Sequence, residues 1–323
     1  MRVLVAGATG AIGRILVPRA LDAGHDVVAL SRSKHRLPSG WDVEHHSVDV
    51  LDGDKVASIV KQTRPDAIVD LLTAIPSEVN PKRLATDFAD TNRLRTLGTA
   101  HLLRAARDAG VGQYVGESIA FVYRPAEGLA AESDPVWGLD APREFRPVLE
   151  AVYAKEKAIQ QHRGIVLRLG HLCGPGTAFG DGGAMFRAIK DRRLPIVGNG
   201  GGTFSFLPVQ EAAEAFLLAL PVEGPAILNV VDNAPVTARE WIPALADDLG
   251  AKKPSRVPSF VARAFIGSYG VMFMTRMRGA DNAAARERLG WTPKADWRTA
   301  MLGSGGAPGP VGSGRRAATA ATR

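Results

Sequence analysis

The sequence predicts an α/β protein with a doubly wound parallel sheet and a smaller, helix-rich lobe towards its C-terminal end. Three observations support this fold class: strand and helix patterns alternate through the first half of the chain, the chain opens on a strand–glycine–helix sequence, and the alternation weakens after Cys173. Strands that alternate with helices form parallel sheets with helices on both faces. At 323 residues the chain is long enough to bury a large core.

Apolar runs and helical periodicity place the elements in order along the chain. The fourth strand is expected to be buried on both faces, and a long helix follows it over residues 81–109 and ends at Gly110. A Pro- and Gly-rich loop beside the site is expected over residues 123–147. Strands are expected over residues 3–6, 26–30, 43–50, 67–72, 113–118, 165–169 and 226–231, and further helices over residues 52–62, 184–192, 211–220, 238–249, 259–277 and 282–289.

The opening sequence MRVLVAGATGAIG runs from a buried strand through a glycine turn into a helix. Backbone N–H groups and the positive end of such a helix point at one spot, and glycines let a pyrophosphate approach the backbone. The alternative is a plain strand-to-helix turn, for which one glycine would suffice. We therefore expect a dinucleotide-binding site here. Its expected contacts are Gly7, Thr9, Gly10, Ala11, Ile12 and Gly13.

The residue at the end of the second strand indicates which nicotinamide cofactor fits. An acid there hydrogen-bonds the ribose 2′-hydroxyl of NAD, whereas a 2′-phosphate needs that acid to be absent and a cation to be near. Ser31 holds this position and is followed by Arg32 and Arg36, so the sequence favours NADP(H) over NAD(H). The alternative is a solvated basic turn, which leaves NAD(H) open. Further cofactor contacts are expected where the third and fourth strands end, at Asp49, Val50, Leu71, Leu72 and Thr73.

Charge and cysteine content limit the classes of function. The net charge is +7, but Arg315, Arg316 and Arg323 belong to the C-terminal tail, which leaves about +4 on the rest of the chain. No Lys/Arg block with interleaved aromatic residues occurs, so we expect no nucleic-acid partner. The lone Cys173 fits a reducing cytoplasm, and the apolar stretch over residues 260–274 is too short to span a bilayer.

Tyr153 and Lys157 stand four residues apart in the helical segment VLEAVYAKEKAIQQ, a spacing that places both on one face of a helix. A lysine beside a tyrosine stabilises the phenolate and lowers the pKa of the phenol, which makes it a better acid–base near neutral pH. The same spacing is common on solvated helix faces. The glycine turn favours the chemical interpretation.

Taken together, the motifs resemble the extended short-chain dehydrogenase/reductases of the NAD-dependent epimerase/dehydratase family. The resemblance runs almost end to end, through GATGAIG, VDVLD, LGTAHLLRAARDAGV, ESIAFVY, YAKEK, LRLGHLCGPG, VGNGGGTFSFLPVQEAA and NAAARERLGW. It implies a bound nicotinamide cofactor, Tyr153 as the acid–base, and Lys157 as the residue that lowers its pKa and holds the nicotinamide ribose. It also implies a hydroxyl that holds the substrate oxygen, with Gly170 and His171 near the nicotinamide.

Three places depart from the family pattern. The usual Ser or Thr falls on Ile119, with Ser118 one residue earlier, where the side chain of a strand points to the opposite face. Ser118 is the candidate catalytic hydroxyl, and Tyr123 or a hydroxyl of the substrate is the alternative. The usual asparagine aligns with Arg95, and the usual paired aspartates align with Gln210 and Glu211.

These patterns predict three regions. We expect an NAD(P)-binding Rossmann domain over residues 1–172, a substrate lobe over residues 173–303, and a disordered tail over residues 304–323. Within the substrate lobe, residues 204–231 are expected to return to the Rossmann sheet. A small-molecule substrate is the expected partner, without a metal or stable membrane insertion, and a homodimer is left open.

Three functions remain open on the sequence. The first is an NAD(P)H-dependent oxidoreductase that reduces a carbonyl group of a small, apolar substrate, with Tyr153 protonating the alkoxide. The second is an NAD-dependent epimerase or dehydratase acting on a nucleotide sugar, and the third is a non-catalytic NADP-binding regulatory protein. The apolar composition over residues 179–206 and 260–277 favours an apolar carbonyl compound over a diphosphate sugar.

Overall fold

A seven-stranded parallel sheet forms the centre of the computed structural model, which describes residues 1–33, 37–38 and 40–303. The strands are β1 (Arg2–Ala6), β2 (Asp26–Ser31), β3 (Glu44–Ser47), β4 (Ala67–Asp70), β5 (Gln113–Ile119), β6 (Ile165–Leu169), β7 (His171–Cys173), β8 (Ile196–Val197), β9 (Thr203–Phe204), β10 (Phe206–Pro208), β11 (Ala226–Val230), β12 (Val236–Thr237) and β13 (Arg256–Val257). The order across the large sheet is β11-β6-β5-β4-β1-β2-β3. The predicted fold class is confirmed.

Helices cover both faces of this sheet. They are α1 (Gly13–Asp22), α2 (Gly53–Thr63), α3 (Leu84–Asp87), α4 (Ala89–Arg93), α5 (Thr99–Ala109), α6 (Arg146–Gln161), α7 (Ala184–Lys190), α8 (Val209–Ala219), α9 (Ala238–Asp248), α10 (Ser259–Thr275), α11 (Ala283–Leu289) and α12 (Trp297–Leu302). On one face α1, α8 and α11 bury an apolar cluster that includes Leu16, Phe216 and Trp291. On the other face α2, α5 and α6 bury a second cluster around Leu102 and Ile159.

The long helix predicted over residues 81–109 is wrong as a single element. It is divided into α3, α4, a π-helical turn over Leu94–Gly98, and α5. A π-helical turn adds one residue to the turn and so rotates the residues that follow it. Arg95 belongs to this turn and is buried, at 2% exposure.

The third and fourth strands are shorter than predicted. Strand β3 covers only Glu44–Ser47, and β4 ends at Asp70, whose side chain is completely buried. A buried carboxylate needs partners, and Asp70 receives hydrogen bonds from Thr99 and Tyr114.

The second lobe has a core of its own, with aromatic residues at its centre. Phe186, Phe204, Phe206, Trp241 and Trp297 pack there with residues of α7, α9, α10 and α12. Within the described ranges, no helix has both the length and the apolar composition needed to cross a membrane. The predictions for Arg36 and for the tail over residues 304–323 lie outside the described residues.

Candidate functional site

Backbone hydrogen bonds join the carboxyl ends of the parallel strands into one continuous edge. The N–H of Gly7 donates to the carbonyl of Leu30 at 3.1 Å, and the N–H of Leu71 donates to Ala6 at 3.0 Å. On the far side, the N–H of Gly170 donates to Val230 at 3.0 Å. Ligands of open α/β sheets bind along such an edge, where the strand order reverses. The edge therefore places the glycine turn and the ends of β4 and β6 along one line.

Two glycines of the turn are required for the packing of the backbone, independently of any ligand. Gly7 has a φ of +88°, and a Cβ there would lie 2.8 Å from the carbonyl oxygen of Leu71. A Cβ on Gly13 would lie 2.5 Å from the carbonyl oxygen of Ala8. Both contacts are with backbone atoms, so a side chain at Gly7 would push the turn away from the chain just after β4, and a side chain at Gly13 would distort the turn itself.

Gly10 is different, because a Cβ there would meet only the Gly7 carbonyl oxygen, at 3.2 Å. Gly10 is exposed, and helix α1 begins just beyond it with no acidic residue in its first turn. Among the residues that the structure describes, the N–H groups of Thr9, Ala11 and Ile12 form no backbone hydrogen bond. Uncapped N–H groups at a helix start, open on the side of Gly10, fit the pyrophosphate of a dinucleotide.

The end of β2 carries one engaged and one open side chain. Ser31 is 8% exposed, and its hydroxyl lies 3.0 Å from the Ser33 carbonyl and 2.8 Å from Nε2 of His45. Arg32 is exposed. Among the described residues at the end of β2, Arg32 is therefore the arginine whose side chain is accessible to a phosphate on the ribose.

The other predicted cofactor contacts divide into buried and open positions. Val50, Leu71 and Leu72 are each less than 9% exposed. Asp49 and Thr73 are exposed, and the Asp49 carboxylate accepts the N–H of Leu51 at 3.0 Å. The open pair stands at the ends of β3 and β4, on the same edge as the glycine turn.

Tyr153 and Lys157 stand one turn apart on α6, but no hydrogen bond joins their side chains. The Tyr153 hydroxyl donates to the carbonyl oxygen of Trp137 at 2.8 Å, whereas Lys157 is exposed on α6. Burial, followed by the negative charge of Glu156, raises the pKa of Tyr153. The expectation that Lys157 lowers this pKa is therefore corrected for this conformation, because burial is the largest influence on the phenol. The catalytic roles of both residues stay predictions.

The candidate hydroxyls near Tyr153 are engaged in a buried network. Ser118 donates to Glu156 at 2.6 Å, and Glu156 holds Arg168 through two hydrogen bonds of 2.8 and 2.7 Å. Tyr123 donates to Asn229 at 2.6 Å. Ile119, at the position where the family usually has Ser or Thr, belongs to the same apolar cluster as Tyr153.

A second buried network, which was not predicted from the sequence, lies under α6. Lys155, at 1% exposure, lies 3.1 Å from Glu117 and 3.3 Å from Asp70. Arg95 lies 3.5 Å from Glu117, and its Nη1 atom has no partner among the described residues. Burial opposes ionisation of Glu117, but Lys155 and Arg95 outweigh it and lower the pKa of that carboxyl. The signal in the sequence was the presence of two acids inside strands expected to be buried.

His171 lies next to the end of β6, inside aromatic side chains. Its ring stacks on Phe121 with centroids 4.5 Å apart, and Phe204 lies at 4.9 Å. Burial lowers the pKa of His171 to about 4, so the imidazole is neutral at physiological pH. Gly170, beside it, has no room for a side chain, because a Cβ there would lie 2.5 Å from the Ser205 carbonyl oxygen.

A cavity of about 730 Å³ opens between the loop after β5 and helix α10. Its lining includes Trp137, whose carbonyl holds Tyr153, and three arginines. One of these arginines comes from the loop after β5, and two come from residues 260–277, the stretch whose composition was expected to be apolar. They are Arg124, Arg263 and Arg276.

The sequence profile of the NAD dependent epimerase/dehydratase family matches residues 3–230 of this chain. The chain belongs to this family. A 3-diazoavenalumate denitrifying reductase from Streptomyces sp. is 39% identical over 311 residues, which are 93% of this chain and 99% of the relative. The resemblance read from the motifs is thereby confirmed, and the chain is an enzyme of the extended short-chain dehydrogenase/reductase type.

Solved structures agree with the fold. UDP-glucose 4-epimerase from Thermotoga maritima, solved with UDP-glucose, has a TM-score of 0.75 at 19% identity, covering 93% of this chain and 96% of its own. MoeE5, solved with UDP-glucuronic acid and NAD, has a TM-score of 0.73 at 25% identity, with the same coverage of both chains. The activity is that of an oxidoreductase or epimerase of an NAD-using family.

Proposed function

We propose that this chain is an NAD(P)H-dependent reductase that delivers a hydride to a small organic acceptor. The observation that carries the proposal is the turn at Gly10, where open N–H groups at the start of α1 fit a dinucleotide. When bound, the reduced nicotinamide supplies the hydride. The 39% identity to a reductase over 99% of that protein's length favours reduction over epimerisation.

For a carbonyl acceptor, the chain must also supply a proton. Hydride addition to a carbonyl carbon leaves an alkoxide, and Tyr153 is the residue proposed to protonate it. Lys157 is proposed to lower the pKa of Tyr153 and to hold the nicotinamide ribose, and Ser118 to hold the substrate oxygen. In this proposal Tyr153 exchanges its hydrogen bond to Trp137 for one to the substrate.

A second acceptor is favoured by a specific observation. The 39% identical relative is named for a diazo compound and for its denitrification. An arenediazonium ion that takes a hydride at its terminal nitrogen becomes a neutral diazene, which loses N2 and leaves a C–H bond. No proton from the protein enters this balance. Such a reaction is compatible with a raised Tyr153 pKa, with an exposed Lys157 and with Ile119 at the hydroxyl position.

Replacement of Tyr153 by phenylalanine distinguishes the two acceptors. The measurement is NADPH oxidation by the purified full chain with a panel of aryl ketones, quinones and arenediazonium salts. With a carbonyl acceptor, Tyr153→Phe should lower kcat by about 10²–10⁴-fold while cofactor binding is kept. With a diazonium acceptor, the variant should keep its rate.

The matched control is Tyr269→Phe, because Tyr269 is, like Tyr153, a half-buried tyrosine, and it packs on Phe145 and Phe273. It should leave either activity unchanged. Absence of NADPH oxidation with every acceptor, in protein that binds NADPH, would instead favour the regulatory alternative. A tightly held NAD that co-purifies, together with turnover without added cofactor, would favour an epimerase or dehydratase.

The preference for NADP(H) is part of the proposal and rests on Arg32. One charge-assisted hydrogen bond to the 2′-phosphate is worth about 1.5–3 kcal/mol, so Arg32→Ala should weaken NADPH binding by roughly ten- to 150-fold. Its effect on NADH should be small. Arg107→Ala, an exposed arginine of α5, is the control. Equal dissociation constants of the unaltered chain for NADPH and NADH would contradict the preference.

Three further assignments are proposals of the same kind. The division into a Rossmann domain over residues 1–172 and a substrate lobe over residues 173–303 is supported by the separate aromatic core of the second lobe. A homodimer and a cytoplasmic location are proposed as well. Sedimentation equilibrium of the purified chain tests the dimer.

A further inference from the structure

The cavity between the loop after β5 and helix α10 carries uncompensated positive charge. Arg124, Arg263 and Arg276 line it, and Asp140 is the acid among the lining residues. Asp140 is already paired with Arg124 at 3.0 Å. Across residues 1–33, 37–38 and 40–303, Arg263 and Arg276 form no salt bridge or side-chain hydrogen bond. Two guanidinium groups therefore face this cavity without an anion.

The rest of the cavity wall combines the hydroxyl residues Ser259, Ser268 and Thr275 with apolar side chains. Trp137, Val271 and Met272 are each less than 8% exposed and line it together with Pro125 and Pro142. Aromatic and aliphatic walls beside a small number of charged groups are typical of small-molecule sites. This combination matches a ligand with one anionic end and one apolar body.

The cavity lies beside Tyr153, the residue predicted to act as the acid–base. The carbonyl oxygen of Trp137 accepts the Tyr153 hydroxyl at 2.8 Å. Trp137 and Met272 also share one apolar cluster with Ile119 at the end of β5. A ligand packed against Trp137 therefore lies next to the residue proposed as the acid.

The nearby Arg278 is engaged elsewhere. It lies 2.8 Å from Asp134 and donates to the carbonyl oxygens of Gly128 and Leu129, both at 3.0 Å. These bonds anchor the loop after β5 to the second lobe. Arg278 thus has a structural role, which distinguishes it from Arg263 and Arg276.

We propose that this cavity binds a small amphipathic carboxylate, with Arg263 and Arg276 holding the carboxylate and Trp137 and Met272 packing against the apolar body. The planar guanidinium matches a carboxylate with two parallel hydrogen bonds. The proposal rests on the proposed function in one respect, since the reducible group of such a substrate points towards Tyr153.

The test is calorimetric binding of trans-cinnamate, hydrocinnamate and hexanoate to the purified full chain, with methyl cinnamate as the neutral counterpart and UDP as a phosphate-bearing competitor. At least one carboxylate should bind, and the ester should bind at least tenfold more weakly. Arg263→Gln and Arg276→Gln should each weaken carboxylate binding by roughly ten- to 150-fold. Arg263→Lys should fall between, because it keeps the charge and loses the fork.

Arg286→Gln, an exposed arginine of α11, is the control and should bind like the unaltered chain. The proposal is overturned by equal affinity for the acid and the ester, by an unchanged affinity in the Arg263→Gln, Arg276→Gln double variant, or by tight UDP binding without carboxylate binding. Failure to bind any of the three carboxylates also overturns it.

These outcomes are separable from those of the proposed function. Carboxylate binding that needs both arginines, without NADPH oxidation by any acceptor, would retain the cavity assignment and reject the reductase. NADPH oxidation that is indifferent to an anionic group and to both arginines would retain the reductase and reject the cavity assignment.

Discussion

The two ends of the sheet edge are built from different groups. At the β1–α1 end, the site consists of backbone N–H groups and glycines, and its shape depends on contacts such as that between Gly13 and the Ala8 carbonyl. At the β5–β6 end, it consists of long charged side chains on separate elements, among them Lys155, Glu117 and Arg168. A backbone site depends on residues that are neighbours in sequence, whereas a side-chain site depends on residues brought together by folding.

The largest expected effect is on the free energy of unfolding, and it comes from removing a buried charge at the β5–β6 end. Lys155→Met leaves Asp70 and Glu117 without their lysine, and breaking a buried ion pair typically costs about 3–5 kcal/mol. We expect urea denaturation to show a loss of that size in the free energy of unfolding. Lys157→Met, two residues away and exposed, should change it by less than about 0.5 kcal/mol. Equal effects would mean that Lys155 is not held as described.

Buried titratable groups at the same end should make the free energy of unfolding depend on pH. Burial raises the pKa of Asp232, just after β11, to about 7. A carboxyl with a raised folded-state pKa keeps its proton in the folded chain and loses it in the unfolded chain, so stability falls as pH rises from about 4 to about 7. His171, with its pKa lowered to about 4, has the opposite sign between about pH 4 and 6.5, because only the unfolded chain takes up its proton there.

Asp232→Asn isolates the first of these contributions. Relative to the unaltered chain, its free energy of unfolding should rise by about 1.4 kcal/mol per pH unit between about pH 4 and pH 7, and stay level above. Denaturation series at several pH values measure this difference. A constant difference across that range would show that Asp232 does not titrate with a raised pKa.

Smaller stability changes separate two glycines at the backbone end. Gly13→Ala forces Cβ against the Ala8 carbonyl and should cost about 1–3 kcal/mol, together with a loss of cofactor affinity. Gly10→Ala should cost less than about 0.5 kcal/mol in stability and still weaken cofactor binding, because its Cβ stands where the pyrophosphate approaches. Thermal unfolding and cofactor titration of the two variants provide the comparison. Unchanged cofactor affinity in Gly10→Ala would argue against the proposed cradle.

The same contrast explains what could be predicted from the sequence. Strand β6 was predicted over residues 165–169 and is found at Ile165–Leu169, and the glycine turn was placed from contiguous residues. The inward face of α6 was not predictable, because a four-residue spacing shows that Tyr153 and Lys157 share a face but not which face packs inwards. Lys155 of α6 faces inwards because two acidic side chains of the sheet lie beneath it. They are Asp70 of β4 and Glu117 of β5.

The π-helical turn and the cavity escaped prediction for a related reason. The apolar spacing over residues 81–109 also fits a straight helix, so nothing local reveals the extra residue at Leu94–Gly98. Arg124 and Arg263 are separated by well over a hundred residues, and each alone resembles an ordinary surface arginine. Their common cavity exists only after the loop and α10 have met.

Cys173 lies in β7, and its thiol is buried between β10 and the aromatic core of the second lobe. Burial, followed by the charge of Asp232, raises the pKa of this thiol. Because it is the single cysteine of the chain, a thiol-reactive dye can label the protein at one place only. The labelling rate of the native protein therefore reports how often the second lobe opens enough to expose this thiol. The measurement needs no substrate and can be made on the same sample that is assayed for reduction.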